Sequence, residues 1–152
     1  MQGNCSVFPP PRVSRALPKV GAELAVSIAR RATLLDPADR LLLEQLYASG
    51  WPATRVAALR SEHVRAVRAR ASRLVRRILS PAFQVVATRS DCWPRQLQRV
   101  GNAVFIRGLS LRAAAKELGL SYFRVSQHAK AIRAIAEAVR AEDRLHPERG
   151  AA

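Results

Sequence analysis

One order of elements is written twice in this chain, and it narrows the fold more than any other feature: a helix, a short helix of about two turns, then a longer helix. It is an architectural repeat and not a strict sequence repeat. The first run opens at Asp36, an N-cap residue, and Pro37, whose fixed φ suits a first turn. Leu42 and Leu46 then stack on one face with Leu43 and Tyr47 beside them, while Arg40 and Glu44 sit one turn apart outside. Gly50 ends this helix near Ala48. Residues 53–59 hold about two turns with Val56 and Leu59 as apolar positions. Ser61 is the expected N-cap of the longer helix, whose stripe is Val64, Val67, Ala71, Leu74, Val75 and Ile78. Ser80 and Pro81 are expected to close it, because a residue before proline is pushed out of the α region.

The second run starts at Trp93 and Pro94, carries Leu97, Val100 and Val104, and stops at Gly108. Ser110 caps the short helix 111–118, and Gly119 terminates it. Ser121 then caps a helix with the stripe Val125, Ala129, Ile132, Ala136 and Val139. Between the runs, residues 81–92 read as a connector, with Phe83, Val85 and Val86 either extended or packed back on the core. Ahead of both, Leu24, Ile28 and Leu35 mark one more helical stripe, and Pro9, Pro10, Pro11 and Pro18 mark residues 1–19 as a flexible arm. The chain after Arg140 mixes charges and is expected to fray, leaving 142–152 as a tail. The expected fold is all-α: two consecutive trihelical helix-turn-helix units, at 20–80 and 93–141, behind a Pro-rich arm.

The 152 residues suffice to bury a core without disulfides. Cys5 and Cys92 lie far apart and lack zinc-ligand spacing, which argues against both a disulfide framework and a structural metal. No run nears the roughly 18 apolar residues of a membrane span, and no secretory signal core is present. The chain is therefore expected to be soluble, cytoplasmic and, from its motifs, prokaryotic. The competing origin is an organelle transit peptide, suggested by Arg12, Arg15, Lys19, Arg30 and Arg31 against the single acid Glu23. Lys and Arg total 26 against 11 acids, a formal charge of +15, and all but Lys19, Lys116 and Lys130 are Arg. That balance excludes an acidic or neutral domain and points to phosphates and guanine edges, which Arg grips bidentately. An Arg bias also follows from a GC-rich genome, so clustering decides.

The segment SLRAAAKELGLSYFRVSQHAKAI, residues 110–132, resembles a helix-turn-helix DNA reader. Ala115 is small where two helices cross, Gly119 suits a turn of positive φ, Val125 anchors the second helix, and Leu118 and Leu120 plug the turn. Winding the last helix at 100° per residue places Tyr122, Phe123, Ser126, Gln127, Lys130 and Arg133 away from the buried stripe. The resemblance then implies base reading by Phe123, Ser126, Gln127 and Lys130: Gln127 pairs with adenine, and Phe123 lies on a thymine methyl. Ser121, Tyr122 and Arg133 would meet phosphate. The competing reading packs Phe123 against the other half of the chain. Arg124 and His128 fall nearer the buried border.

Residues 36–78 resemble region 4 of bacterial sigma factors and related response-regulator domains, through Asp36-Pro37, Leu42, Leu43, Leu46, Gly50, Ala57, Leu59 and an Arg-rich helix around Val64. The chain departs at the turn, where that family usually has glycine and this sequence has Arg60, with a linker one residue short. Direct base reading by Arg65 and Arg68 is therefore left open. Six arginines in this helix would repel one another without an anion, so phosphate contact is expected from Arg65, Arg68, Arg73 and Arg76. LGLSYFRVSQ, residues 118–127, is also similar to plasmid repressors of the KorA type.

The expected function is a sequence-specific double-stranded DNA-binding transcription regulator, from a phage, plasmid or other mobile element. It would read the major groove with helix 121–134 and grip phosphates with helix 61–78. The rival is a sigma-like module that binds RNA polymerase or another regulator. Structured RNA is a weaker third partner, since stacking aromatics are few. A homodimer is compatible with paired half-sites. No cofactor and no metal are expected. An enzyme is not expected either, because His63, His128 and His146 lack a nucleophile partner or ligand spacing and no glycine-rich phosphate loop is present.

Overall fold

A computed structural model describes residues 19–145, and these are all-helical with no strand among them. Of the arm expected over residues 1–19 only Lys19 is described, as the first residue of a helix, and most of the tail also lies outside the described residues. The first four helices are α1 (Lys19–Ala32), α2 (Pro37–Leu43), α3 (Ala53–Arg60) and α4 (Val64–Ile78). Then come α5 (Pro81–Arg89), α6 (Arg95–Gly101), α7 (Leu111–Leu118) and α8 (Tyr122–Leu145). Wider π-type turns, at Glu44–Ala48 and Asn102–Ile106, prolong α2 and α6, and a 3₁₀ turn, Ser90–Cys92, follows α5. No described helix is long and apolar enough to cross a membrane.

The two runs coincide residue for residue at a spacing of 58. Pro37 and Arg95 open α2 and α6, Ala53 and Leu111 open α3 and α7, and Val64 and Tyr122 open α4 and α8. Backbone hydrogen bonds recur at the same spacing: Ser49 N–H to Glu44 O with Arg107 N–H to Asn102 O, and Trp51 N–H to Gln45 O with Leu109 N–H to Ala103 O. Positive φ recurs too, at Gly50 and Gly108 and again at Ser61 and Gly119. Over residues 19–87 paired with 77–145, the identical pairs are Ala29/Ala87, Arg31/Arg89, Gly50/Gly108, Ala57/Ala115, Val67/Val125 and Ala71/Ala129. Four of the six pairs are a left-handed glycine or a residue buried where helices meet. The repeat is thus carried by the positions that backbone geometry and close packing restrict.

The spacing also pairs α1 with α5, so each unit has four helices and not three. Residues 81–89 are therefore no connector. Ser80 accepts a hydrogen bond from the Phe83 N–H at 3.2 Å and Pro81 occupies the first turn, which is how a helix starts. The pair read as a stop for α4 is the start of α5. Phe83 is fully buried, with Ala82, Val85 and Val86 around it, and α5 packs along α8. Burial of such a side chain contributes roughly 1.5–3 kcal/mol.

One hydrophobic core runs from Ile28 of α1 through Leu42, Val67 and Phe83 to Ile132 and Ala136 of α8, so it crosses from one unit into the other. A smaller cluster, Val100, Ala103, Ala114, Ala115 and Val125, lies under the second turn. Gly101 lets α6 lie close against α5 and α8, because a Cβ there would stand 3.3 Å from Ile132 and Val86 side-chain carbons. Its counterpart, Leu43, is fully buried in the main core.

Other boundaries also differ from the sequence expectations. Asp36 precedes Pro37 in extended geometry but makes no side-chain capping bond. α1 ends at Ala32, with Ile28 buried and Leu24 largely exposed. Leu59 is exposed and Ala57 takes the buried place, since only one face of so short a helix reaches the core. α8 continues past Arg140 to Leu145, where fraying was expected.

Candidate nucleic-acid interface

The second turn is built as its residues require. Ser110 Oγ accepts the Ala113 N–H at 3.2 Å, which starts α7, and Gly119 at φ 65° ends it in the left-handed region. Leu120 N–H closes the turn on Ala115 O at 3.0 Å. Ser121 Oγ then accepts the Arg124 N–H at 3.2 Å, capping α8. Val125, Ala129 and Ile132 are fully buried, so the helix is fixed by its inner stripe and its other faces are left to solvent.

On that outer side Phe123 is 68% exposed and Tyr122 54% exposed. Gln127, Lys130 and Ser121 are exposed with them, and Ser126 is half-buried. Phe123 does not pack into the first unit, so the face is uncovered. Arg133 is exposed, but its guanidinium lies 5.6 Å from the Phe105 ring centroid, so this cation is partly held against its own unit. His128 is half-buried, as its border position suggests, whereas Arg124 is exposed.

The first turn has the same form with a different residue at its apex. The left-handed position is Ser61, at φ 53°, not Arg60, and Glu62 N–H closes on Ala57 O at 3.0 Å. Arg60 and Leu118 end their short helices and Val64 and Tyr122 begin the long ones, so the two linkers of this chain are equal in length. His63, not Ser61, caps α4, its Nδ1 accepting the Arg65 N–H at 3.2 Å. Val67, Ala71, Leu74 and Ile78 form the buried stripe.

The six arginines of α4 divide into two sets. Arg70 is paired with Asp39 Oδ1 at 2.7 Å, and Arg77 stands 3.7 Å from Asp39 Oδ2 while donating to Arg107 O at 3.0 Å. Both therefore fold back on the protein. Burial lowers the Arg77 pKa, while Asp39 and Asp36 act to raise it. Arg77 lies so closely on Gly108 that a Cβ there would overlap its Nη1. Arg107 in turn pairs with Glu117, and their shared hydrogen bond raises the arginine's pKa and lowers the carboxylate's. Arg65, Arg68, Arg73 and Arg76 are exposed, and no acid of the described residues pairs with them. The sequence offered no means of separating Arg70 and Arg77 from the rest, because Asp39 lies 31 and 38 residues before them.

Both long helices thus begin after a left-handed turn and carry uncovered faces of different chemistry. One is aromatic and amide-bearing, the other guanidinium-bearing. No group of His, Cys, Asp and Glu among the described residues is arranged to hold a metal ion. Comparison with protein-family models, with curated proteins and with solved structures finds no match to this chain.

Proposed function

We propose that this chain is a sequence-specific, double-stranded DNA-binding transcription regulator of a prokaryotic cytoplasm. α8 reads the major groove through Phe123, Ser126, Gln127 and Lys130, with Ser121, Tyr122 and Arg133 on phosphates. α4 supplies cationic grip through Arg65, Arg68, Arg73 and Arg76. The observation that carries the reading is the uncovered face of α8, where a two-thirds-exposed phenylalanine stands beside an exposed glutamine and lysine just beyond a left-handed turn. An aromatic ring, an amide and an ammonium on one uncovered helix face offer apolar and hydrogen-bonding contacts together, and the B-DNA major groove admits one helix with such a face.

The phosphate term is testable through salt. Each neutralised phosphate contributes a slope of about −0.9 in log affinity against log salt, so four working arginines on α4 give a steep dependence. Binding to an acidic protein patch would instead persist in a polymerase pulldown lacking DNA.

A gel-shift competition between an enriched site and bulk duplex decides the assignment. Gln127→Ala and Phe123→Ala are each expected to reduce the specific-to-bulk ratio about tenfold, with bulk binding retained. Unchanged preference in both variants removes the reading role from α8.

A further inference from the structure

The spacing of 58 places Arg65 at the position of Phe123, Arg68 at Ser126, Ala69 at Gln127 and Ser72 at Lys130. Both long helices start at the same point after the same turn, so these residues share a register as well as an order. Arg65 and Arg68 lie three residues apart on one helical face, within the first two turns of α4. This is the end of a recognition helix that meets base edges in helix-turn-helix complexes. Arg73 and Arg76 lie further along, at the positions equivalent to Ala131 and Ala134 of α8.

The two arginine sets also differ in availability. Arg70 and Arg77 are held by Asp39, and Arg60 by Glu62 at 3.3 Å. Arg65 and Arg68 are exposed, without an acidic partner among the described residues. A guanidinium left free at a base-facing register matches O6 and N7 of guanine in a bidentate pair, which no other base edge offers.

We infer that α4 is a second reading helix, in which Arg65 and Arg68 recognise guanines on neighbouring base pairs and do not merely hold phosphates. The bound site is then composite: a guanine-bearing segment under α4 and a segment bearing adenine or thymine under α8. Arg73 and Arg76 keep the phosphate role. This rests on the DNA-reading role proposed above and assigns the first unit a sequence preference of its own.

The test enriches bound duplexes from a random library with the full chain, then repeats the enrichment with the Arg65→Lys/Arg68→Lys variant. Lysine keeps the charge and loses the planar fork, so bulk affinity and salt slope are expected to stay unchanged. The guanine segment is expected to lose about tenfold of its preference for each contact, while the α8 segment is enriched as before. Retention of the guanine preference by an Arg65→Ala/Arg68→Ala variant, which has no donor left for O6 and N7, overturns the inference and leaves the α8 reading in place. So does a wild-type site that lacks a guanine segment. A library from which the wild-type chain enriches no sequence removes both readings.

Discussion

The turn spanning residues 57–64 and the turn spanning 115–122 have matching backbones, yet one leads into Arg65, Arg68, Ala69 and Ser72 and the other into Phe123, Ser126, Gln127 and Lys130. Their interiors differ as well. Leu43 and Val56 join the main core in the first unit, whereas their counterparts are Gly101, which has no side chain to add, and Ala114, which lies in a smaller second cluster. Four of the six identities between the units are residues that shape the chain: a left-handed glycine, a crossing alanine, a buried valine and the alanine one turn on. Side chains on the outer face, free of that constraint, have no identity in common at the reading positions. Shape and recognition are therefore carried by separate residues in this protein.

Three substitutions probe this comparison. The largest effect is expected from Phe83→Ala, because Phe83 is fully buried in the core that both units share. The loss is about 3–5 kcal/mol in urea denaturation. Trp51 lies in the first unit and Trp93 in the second, so single-tryptophan variants report each unit's midpoint. Coincident, equally lowered midpoints are expected. A shift seen by Trp93 alone would show that the units unfold apart.

Next comes Gly101→Leu, which installs the first unit's residue in the second. The added side chain meets Ile132 and Val86 already at its Cβ, so a loss of about 1–3 kcal/mol is expected from overpacking. An unchanged midpoint would mean that α6 moves away from α5 and α8 without penalty. The smallest effect is expected from Ser61→Gly, which relieves a left-handed serine where the second unit already has glycine. A gain of up to about 1 kcal/mol is expected, with Gly119→Ser losing a similar amount. Opposite signs in the two variants support equivalence of the turns, and equal signs break it.

Much of this fold was legible in the sequence, and the failures share a cause. Helices α2, α4, α6, α7 and the start of α8 follow from apolar spacing and caps, since those signals are local. α5 was hidden because only Leu79 and Ser80 separate it from α4. The same Ser-Pro pair serves as a terminator for one helix and an initiator for the next, and nothing local says which. Ser61 was read as a cap because serine is a favoured N-cap residue, so the true cap, His63, was passed over. At the interface, winding alone found the exposure of Phe123, Gln127 and Lys130, because a regular helix fixes the direction of every residue. It could not find the Asp39 pairs that withdraw Arg70 and Arg77, nor the contact of Arg133 with Phe105. Those depend on segments brought together only by the tertiary fold.

The joint between the units has one more consequence. With two residues between α4 and α5 and a core running across them, the entropy of placing one outer face relative to the other is settled when the chain folds. A ligand long enough to span both faces meets them preorganised, and its second contact carries no linker penalty. The same joint denies the pair any play, so tolerance for variable spacing must come from the ligand's own deformability and not from the protein.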